Sequence, residues 1–178
     1  MSTDQVSLFL ALLAVIAELA TLGLIVVAVA RRVAPAATWP QAALDGIRPL
    51  ALPLAAAIAV TCVLGSLYFS EVADFPPCRL CWYQRIAMYP LALILPIAAW
   101  RRDVAVRWYA IPLAVLGGCV SIYHVVVERY PSLETACDVS NPCSIIWVER
   151  FGYLTIPAMA LSGFATIVAL LLVPREPL

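Results

Sequence analysis

The chain has 178 residues, of which 64% are hydrophobic and 12% charged, with a mean hydropathy of +0.97. An ordinary globular domain carries roughly 25% charged residues, so the composition suits lipid as solvent and excludes disorder and collagen-like structure. Eleven arginines balance eleven acidic residues with no lysine, which excludes the basic face of a nucleic-acid-binding protein. A bilayer core about 30 Å thick takes roughly 20 apolar residues per helix, and five stretches approach that length: 6–30, 50–69, 82–100, 108–127 and 152–173. The first could be taken for a signal peptide, since Ala28-Val29-Ala30 has small residues at cleavage spacing. Its start carries Asp4 and no basic residue, and Arg31-Arg32 follows as a stop-transfer signal, so it reads as a retained helix. Helices two to five carry Pro53, Pro90, Pro96, Pro112 and Pro157, and Gly117-Gly118 in the fourth permits close helix contact.

Basic residues accumulate in short cytoplasmic loops. Arg31, Arg32 and Arg48 lie between the first two helices, Arg101, Arg102 and Arg107 between the third and fourth, and Arg175 after the fifth. Alternating helices bring all seven to one side. The N-terminus is then outside, the C-terminus inside, and loops 70–81 and 128–151 outside.

This topology sorts the six cysteines. Cys62 and Cys119 fall within helices, where a free thiol acts as a small hydrophobe. Cys78, Cys81, Cys137 and Cys143 all lie in or beside the outer loops. Cys78-Arg79-Leu80-Cys81 follows Pro76-Pro77 and leads into the third helix, whose unpaired N–H groups and dipole favour a thiolate. Cys81, in the first turn, is the better placed of the two for that stabilisation. Arg85 sits on its helical face one turn on, either to stabilise a thiolate or an anionic cofactor or to snorkel at the interface beside Trp82 and Tyr83. Cys137 and Cys143 flank the turn residues Ser140, Asn141 and Pro142, a spacing that serves either a structural staple or exchange with the other loop. His124, the single histidine, is near the outer end of helix four, either packed there or donating to a carbonyl or a proton-accepting cofactor.

The run Phe75-Pro76-Pro77-Cys78-Arg79-Leu80-Cys81-Trp82-Tyr83-Gln84-Arg85-Ile86-Ala87-Met88-Tyr89-Pro90 resembles the signature of the DsbB family of membrane disulfide-forming oxidoreductases, most closely its BdbC-type branch. Tyr123-His124, Tyr130-Pro131-Ser132, Cys137-Asp138 and Phe151-Gly152-Tyr153-Leu154-Thr155-Ile156-Pro157 agree, so the resemblance runs from about residue 50 to 173. It implies an all-α integral membrane fold: a four-helix bundle core over 50–178, with 1–49 adding an extra N-terminal transmembrane helix and a cytoplasmic linker. It also implies a multi-pass protein of the bacterial plasma membrane that reoxidises an extracytoplasmic DsbA-like thioredoxin-fold thiol oxidase and passes two electrons to a membrane quinone, ubiquinone or menaquinone. By position, Cys137 resembles the cysteine attacked by the reduced partner, Cys143 its companion that exchanges with Cys78, and Cys81 the thiolate that meets the quinone. Arg85 and His124 match the positions near the quinone head group.

Five residues separate Cys137 from Cys143, fewer than the better-known members have, and the tighter ring limits how far the pair can separate during exchange with Cys78. Glu18, mid-span in the extra helix, is costly there and usually faces protein; it serves a helix contact or a proton- or quinone-related role. Three alternatives use the same cysteines. A vitamin K epoxide reductase-like enzyme would place its redox pair late in the bundle, whereas Cys78 and Cys81 precede the third helix. Four thiolates are also a valid zinc set, but the second spacing is longer than a zinc-ribbon knuckle and the outer face is oxidising. A scaffold stapled by two disulfides is the structural counterpart.

Overall fold

The computed structural model describes residues 2–135, 137–138 and 140–173. Arg175 lies outside the described residues. Five helices carry the fold: α1 (Thr3–Val33), α2 (Trp39–Glu71), α3 (Arg79–Arg101), α4 (Arg107–Arg129) and α5 (Ile156–Leu171). α2, α3, α4 and α5 pack in sequence and close on one another, and α1 lies outside this core, mainly on α5. Among the described residues, four helices are long and apolar enough to cross a membrane, and α5 is a shorter apolar helix. The protein is an all-α integral membrane protein, as expected.

Local chemistry sets the boundaries. Ser2 opens α1 with a capping box, accepting from the Gln5 amide while the Gln5 side chain accepts from the Ser2 amide. α2 begins eleven residues before the expected position 50, leaving only residues 34–38 as connection. Pro40 is tolerated because it falls in the first turn. The extension is amphipathic: Pro40 and Leu44 are buried, while Gln41 donates to Asp45 and Arg48 pairs with Asp45 on the other face. A search for bilayer-length apolar runs passes over such a segment.

α5 is shorter than the expected 152–173. Residues 149–155 instead form a small antiparallel hairpin of β1 (Glu149–Arg150) and β2 (Leu154–Thr155), with Glu149 opposite Thr155 and Arg150 opposite Leu154. Its turn needs positive φ at Phe151 and Gly152 (+55° and +75°), which no helix supplies. Pro157 therefore starts α5 rather than interrupting it.

The core runs between α5 and its neighbours, with Phe164, Ile167, Leu91 and Leu95 at most 1% exposed. Gly117 makes this possible: a Cβ there would come within 2.3 Å of the Phe164 ring and 2.9 Å of Ala87. Gly163 likewise makes room for Cys62, whose sulfur would lie 2.6 Å from a Cβ at that position. Cys119 is exposed on α4. Cys62 is a small packing residue, as expected.

Candidate active site

The site grows from the start of α3. Pro77 gives way to Cys78, whose extended backbone makes it the N-cap, and its Sγ accepts from the Cys81 amide at 3.4 Å. The helix-terminal amide is thus spent on Cys78, not on Cys81 as the sequence suggested. The reason is geometric: an N-cap side chain reaches the N–H two or three residues ahead, and the amide it reaches here is that of Cys81 itself. The two sulfurs are 3.0 Å apart. The Cys81 thiol beside it, then the His124 ring, hold the Cys78 thiol far below the ordinary range, at about 4, against the opposing effect of burial.

His124 joins the two cysteine loops. Its Nε2 lies 3.1 Å from the Cys143 carbonyl and 3.7 Å from Cys78 Sγ, and its Nδ1 lies 3.4 Å from Gln84 Nε2. A carbonyl only accepts, so Nε2 carries a hydrogen; the Gln84 amide donating to Nδ1 is consistent with that tautomer in the neutral ring. The ring is 3% exposed.

Cys137 and Cys143 are joined by a disulfide, with Cα atoms 5.9 Å apart. Cys143 is buried and Cys137 half-buried. The Glu134 carboxylate accepts from the Cys143 amide and from Ser144 Oγ at 2.7 Å, which ties down both residues on the Cys143 side of the ring. The loop docks onto the first pair through two Arg79–Asp138 hydrogen bonds (2.8 and 3.0 Å) and through Asn141 donating to the Pro77 carbonyl at 3.2 Å. Cys78, Leu80, Val127 and Cys143 form one buried cluster, with Cys81 and Cys137 packed against it. The four loop sulfurs therefore share one end of the molecule. Among the described residues, the groups close enough to share an ion are Cys78, Cys81 and His124, and separately Glu134, Cys137 and Cys143, so the four cysteines do not converge as a zinc set would.

On its other side Cys81 lines a cavity of about 560 Å³ between α1, α2, α3 and α5. Its walls are almost wholly apolar, with Gln84, Arg85 and Tyr89 among the few polar groups. Arg85 is buried: Nε donates to Ser66 Oγ and Nη2 to the Ser66 carbonyl, both at 3.0 Å, and the guanidinium stacks 5.2 Å from the Trp82 ring. That excludes the snorkelling reading. Tyr89, two turns from Cys81 along α3, has a buried hydroxyl with no partner among the described residues. Phe69, Phe75 and Trp147 stack in series along the outer wall, at 6.0 and 5.0 Å. His124 does not line the cavity; it lies behind Gln84, which does.

The family model described as "Disulfide bond formation protein DsbB" matches residues 48–173. The chain belongs to the DsbB family. "Disulfide bond formation protein C" of Bacillus subtilis is 45% identical over 113 residues, 62% of this chain and 82% of that protein. "Probable disulfide formation protein C 1" of Bacillus anthracis is 46% identical over 106 residues (58% and 76%), and "Probable disulfide formation protein C" of Halalkalibacterium halodurans 44% over 121 (66% and 88%). No solved structure matches the chain. This DsbB-family protein is BdbC-like, a multi-pass membrane protein with a thiol–disulfide oxidation role in disulfide formation. The DsbB match begins inside α2, so α1 falls outside it.

Sequence reasoning singled out Cys78, Cys81, Arg85, His124, Cys137 and Cys143, and all six stand at this end of the molecule. It missed Gln84, Ser66, Glu134 and Asn141. Gln84 was within reach, three residues after Cys81 and hence on its helical face. The others act across loops or helices and leave no local signal.

Proposed function

We propose that the protein is a quinone-dependent thiol:disulfide oxidoreductase that reoxidises an extracytoplasmic, DsbA-like thioredoxin-fold thiol oxidase. The observation that carries this reading is the serial arrangement of sulfur. A half-exposed Cys137 is bonded to a buried Cys143, Cys143 shares a cluster with Cys78, and Cys81 opens onto an apolar cavity.

In this scheme a thiolate of the reduced partner attacks Cys137, forming a mixed disulfide and releasing Cys143 as the leaving thiolate. Cys143 attacks Cys78 of an oxidised Cys78–Cys81 pair and releases Cys81. The partner's second thiol then displaces Cys137, leaving the partner oxidised, and Cys137 re-forms its bond to Cys143 as Cys78 departs. A departing thiolate leaves most readily when its pKa is low, and Cys78 has that property. The net change is one disulfide formed in the partner and one dithiol left at Cys78 and Cys81. His124 supports the thiolate at Cys78 and orients the Cys143 backbone, and Arg79, Asp138 and Asn141 hold the two loops in register.

The cavity fits a quinone: an apolar enclosure suits the ring and tail, and the Arg85 guanidinium and the unpartnered Tyr89 hydroxyl are donors suited to carbonyl oxygens. Gln84, with His124 behind it, completes the polar end. Bound there, a quinone, ubiquinone or menaquinone, supplies a two-electron, two-proton acceptor for the Cys78–Cys81 dithiol.

The arginine distribution supports an N-terminus and redox loops outside and a C-terminus inside. In this reading α2 to α5 form the redox domain, with α1 and residues 34–38 an added helix and linker in place of the expected boundary at residues 49 and 50. The test is a trap: a thioredoxin-fold dithiol lacking its resolving cysteine should accumulate as a mixed disulfide with Cys137. An adduct mapped to Cys81, or none at all, would count against the scheme.

A further inference from the structure

The face of α1 toward the cavity is built from Leu10, Leu13, Ala14, Ile16, Ala17 and Ala20, which recur about once per turn and make one continuous stripe. Leu12, Leu19 and Leu22 on the remaining surface are 48–63% exposed. Three of these wall residues, Ala14, Ala17 and Ala20, are small and leave room on that side.

α1 is also held at a defined distance from α5. Glu18 accepts from Tyr153 Oη at 2.7 Å and from Ser162 Oγ at 2.8 Å. Thr21 and Thr166 hydroxyls are 2.8 Å apart, and Thr166 reaches the Ala17 carbonyl at 3.1 Å. At the outer end Arg150 pairs with Asp4 and donates to Ser7. All these bonds run to α5 or to the hairpin before it. Against α2 the outer contact is Leu10 lying over Gly65, where a Cβ would approach Leu10 to 3.0 Å. A carboxylate at this depth is costly without partners, so the Glu18 contacts fix where α1 stands, and Thr166 is itself a cavity residue.

We propose that α1 is a wall of the acceptor chamber, with Ala17 and Ala20 forming the seat for the acceptor's hydrocarbon tail and the Glu18 and Thr21 contacts holding that seat open. This rests on the quinone reading above. It gives a role to a segment outside the family match and separates two parts of the chamber: Cys81, Arg85 and Tyr89 at the ring end, α1 at the tail.

The test uses the full chain in lipid nanodiscs, with a matched benzoquinone pair with and without a decyl tail. In A17C, alkylation of the introduced thiol by N-ethylmaleimide, read by peptide mass spectrometry, should be slowed by the tailed quinone and not by the tailless one. Alkylation in L19C, on the lipid face, should respond to neither. A17F and A20F should raise the KM for the tailed quinone about tenfold, the loss of seating for about two methylenes, with KM for the tailless quinone changed less than about twofold on the same reasoning. Reduction of the Cys137–Cys143 disulfide by dithiothreitol without quinone should stay at the wild-type rate, which separates a blocked seat from a misfolded chain. Equal protection of positions 17 and 19, or a tailed-quinone KM in A17F and A20F no higher than in L19F, would overturn the inference while leaving the quinone reading intact. A wild-type protein that exchanges disulfides but reduces neither quinone would overturn both.

Discussion

The thiolate at Cys78 governs how oxidising its pair is, and His124 is the residue through which this can be tested without removing a sulfur. A Cys78 thiol at about 4 means that the reduced pair holds one proton rather than two at neutral pH. With the imidazole removed in H124A, so that it no longer takes up a proton with the thiolate, the potential of the Cys78–Cys81 couple should then change by about 30 mV per pH unit between pH 7 and 8, where an ordinary dithiol changes by about 59 mV, since each decade is worth about 30 mV for two electrons. H124A removes the imidazole 3.7 Å from Cys78 Sγ but leaves the Cys81 contact, the larger of the causes. A hydrogen bond to a charged group contributes about 1.5–3 kcal/mol, or one to two decades, so the potential at pH 7 should fall by about 30–65 mV. The sign follows from which form is stabilised: losing support for the thiolate destabilises the reduced state and makes the disulfide harder to reduce. The assay is redox equilibration against a dithiothreitol couple, with reduced and oxidised forms separated by alkylation, in a background where Cys137 and Cys143 are both alanine. An H124A slope near 59 mV per pH unit between pH 7 and 8, or an H124A potential equal to wild type or higher, would refute the reasoning.

G117A should destabilise the protein by about 1–3 kcal/mol or more, the usual cost of overpacking, because its Cβ meets the Phe164 ring at 2.3 Å; G118A, whose Cβ would sit 3.7 Å from Phe164, should be close to neutral, with thermal unfolding in one detergent comparing the two. R79A and D138A break an exposed ion pair, so each should cost less than about 1 kcal/mol yet loosen the docking of the Cys137 loop; faster hydrogen exchange at 137–144 with little change in melting temperature is the expected pattern. For the topology, S2C should react with a membrane-impermeant maleimide in intact cells, whereas A36C and D103C should react only after lysis. Labelling of all three, or the reverse pattern, would contradict the assigned sides.

Much of the fold was legible because bilayer length is a strong constraint. What escaped was set by contacts the local pattern does not encode. The strand-like turn at Phe151 and Gly152 looks apolar enough to extend α5, and only Pro157, tolerated in a first turn, points to a later start. Residues 39–49 escaped because their amphipathic helix is too polar for a span. At the site, the segregation of four cysteines to one side was readable from topology alone, and Arg85 and His124 were readable as candidates but not as buried or exposed. Which sulfur receives the helix amide depended on a single register step, with Cys78 as cap rather than Cys81 as first-turn residue. The cavity itself lay beyond reach, since it needs α1, α2, α3 and α5 to meet at small residues that are ordinary one by one.

The central claim is that electrons leave through Cys81 into a quinone held in the cavity. Its most direct measurement is anaerobic quinone reduction by the purified protein in nanodiscs, driven by a reduced thioredoxin-fold dithiol. The wild type should form quinol one for one with partner disulfide, and C81S should form none while still exchanging with the partner through Cys137. Quinol formation by C81S at a rate near wild type would contradict the account.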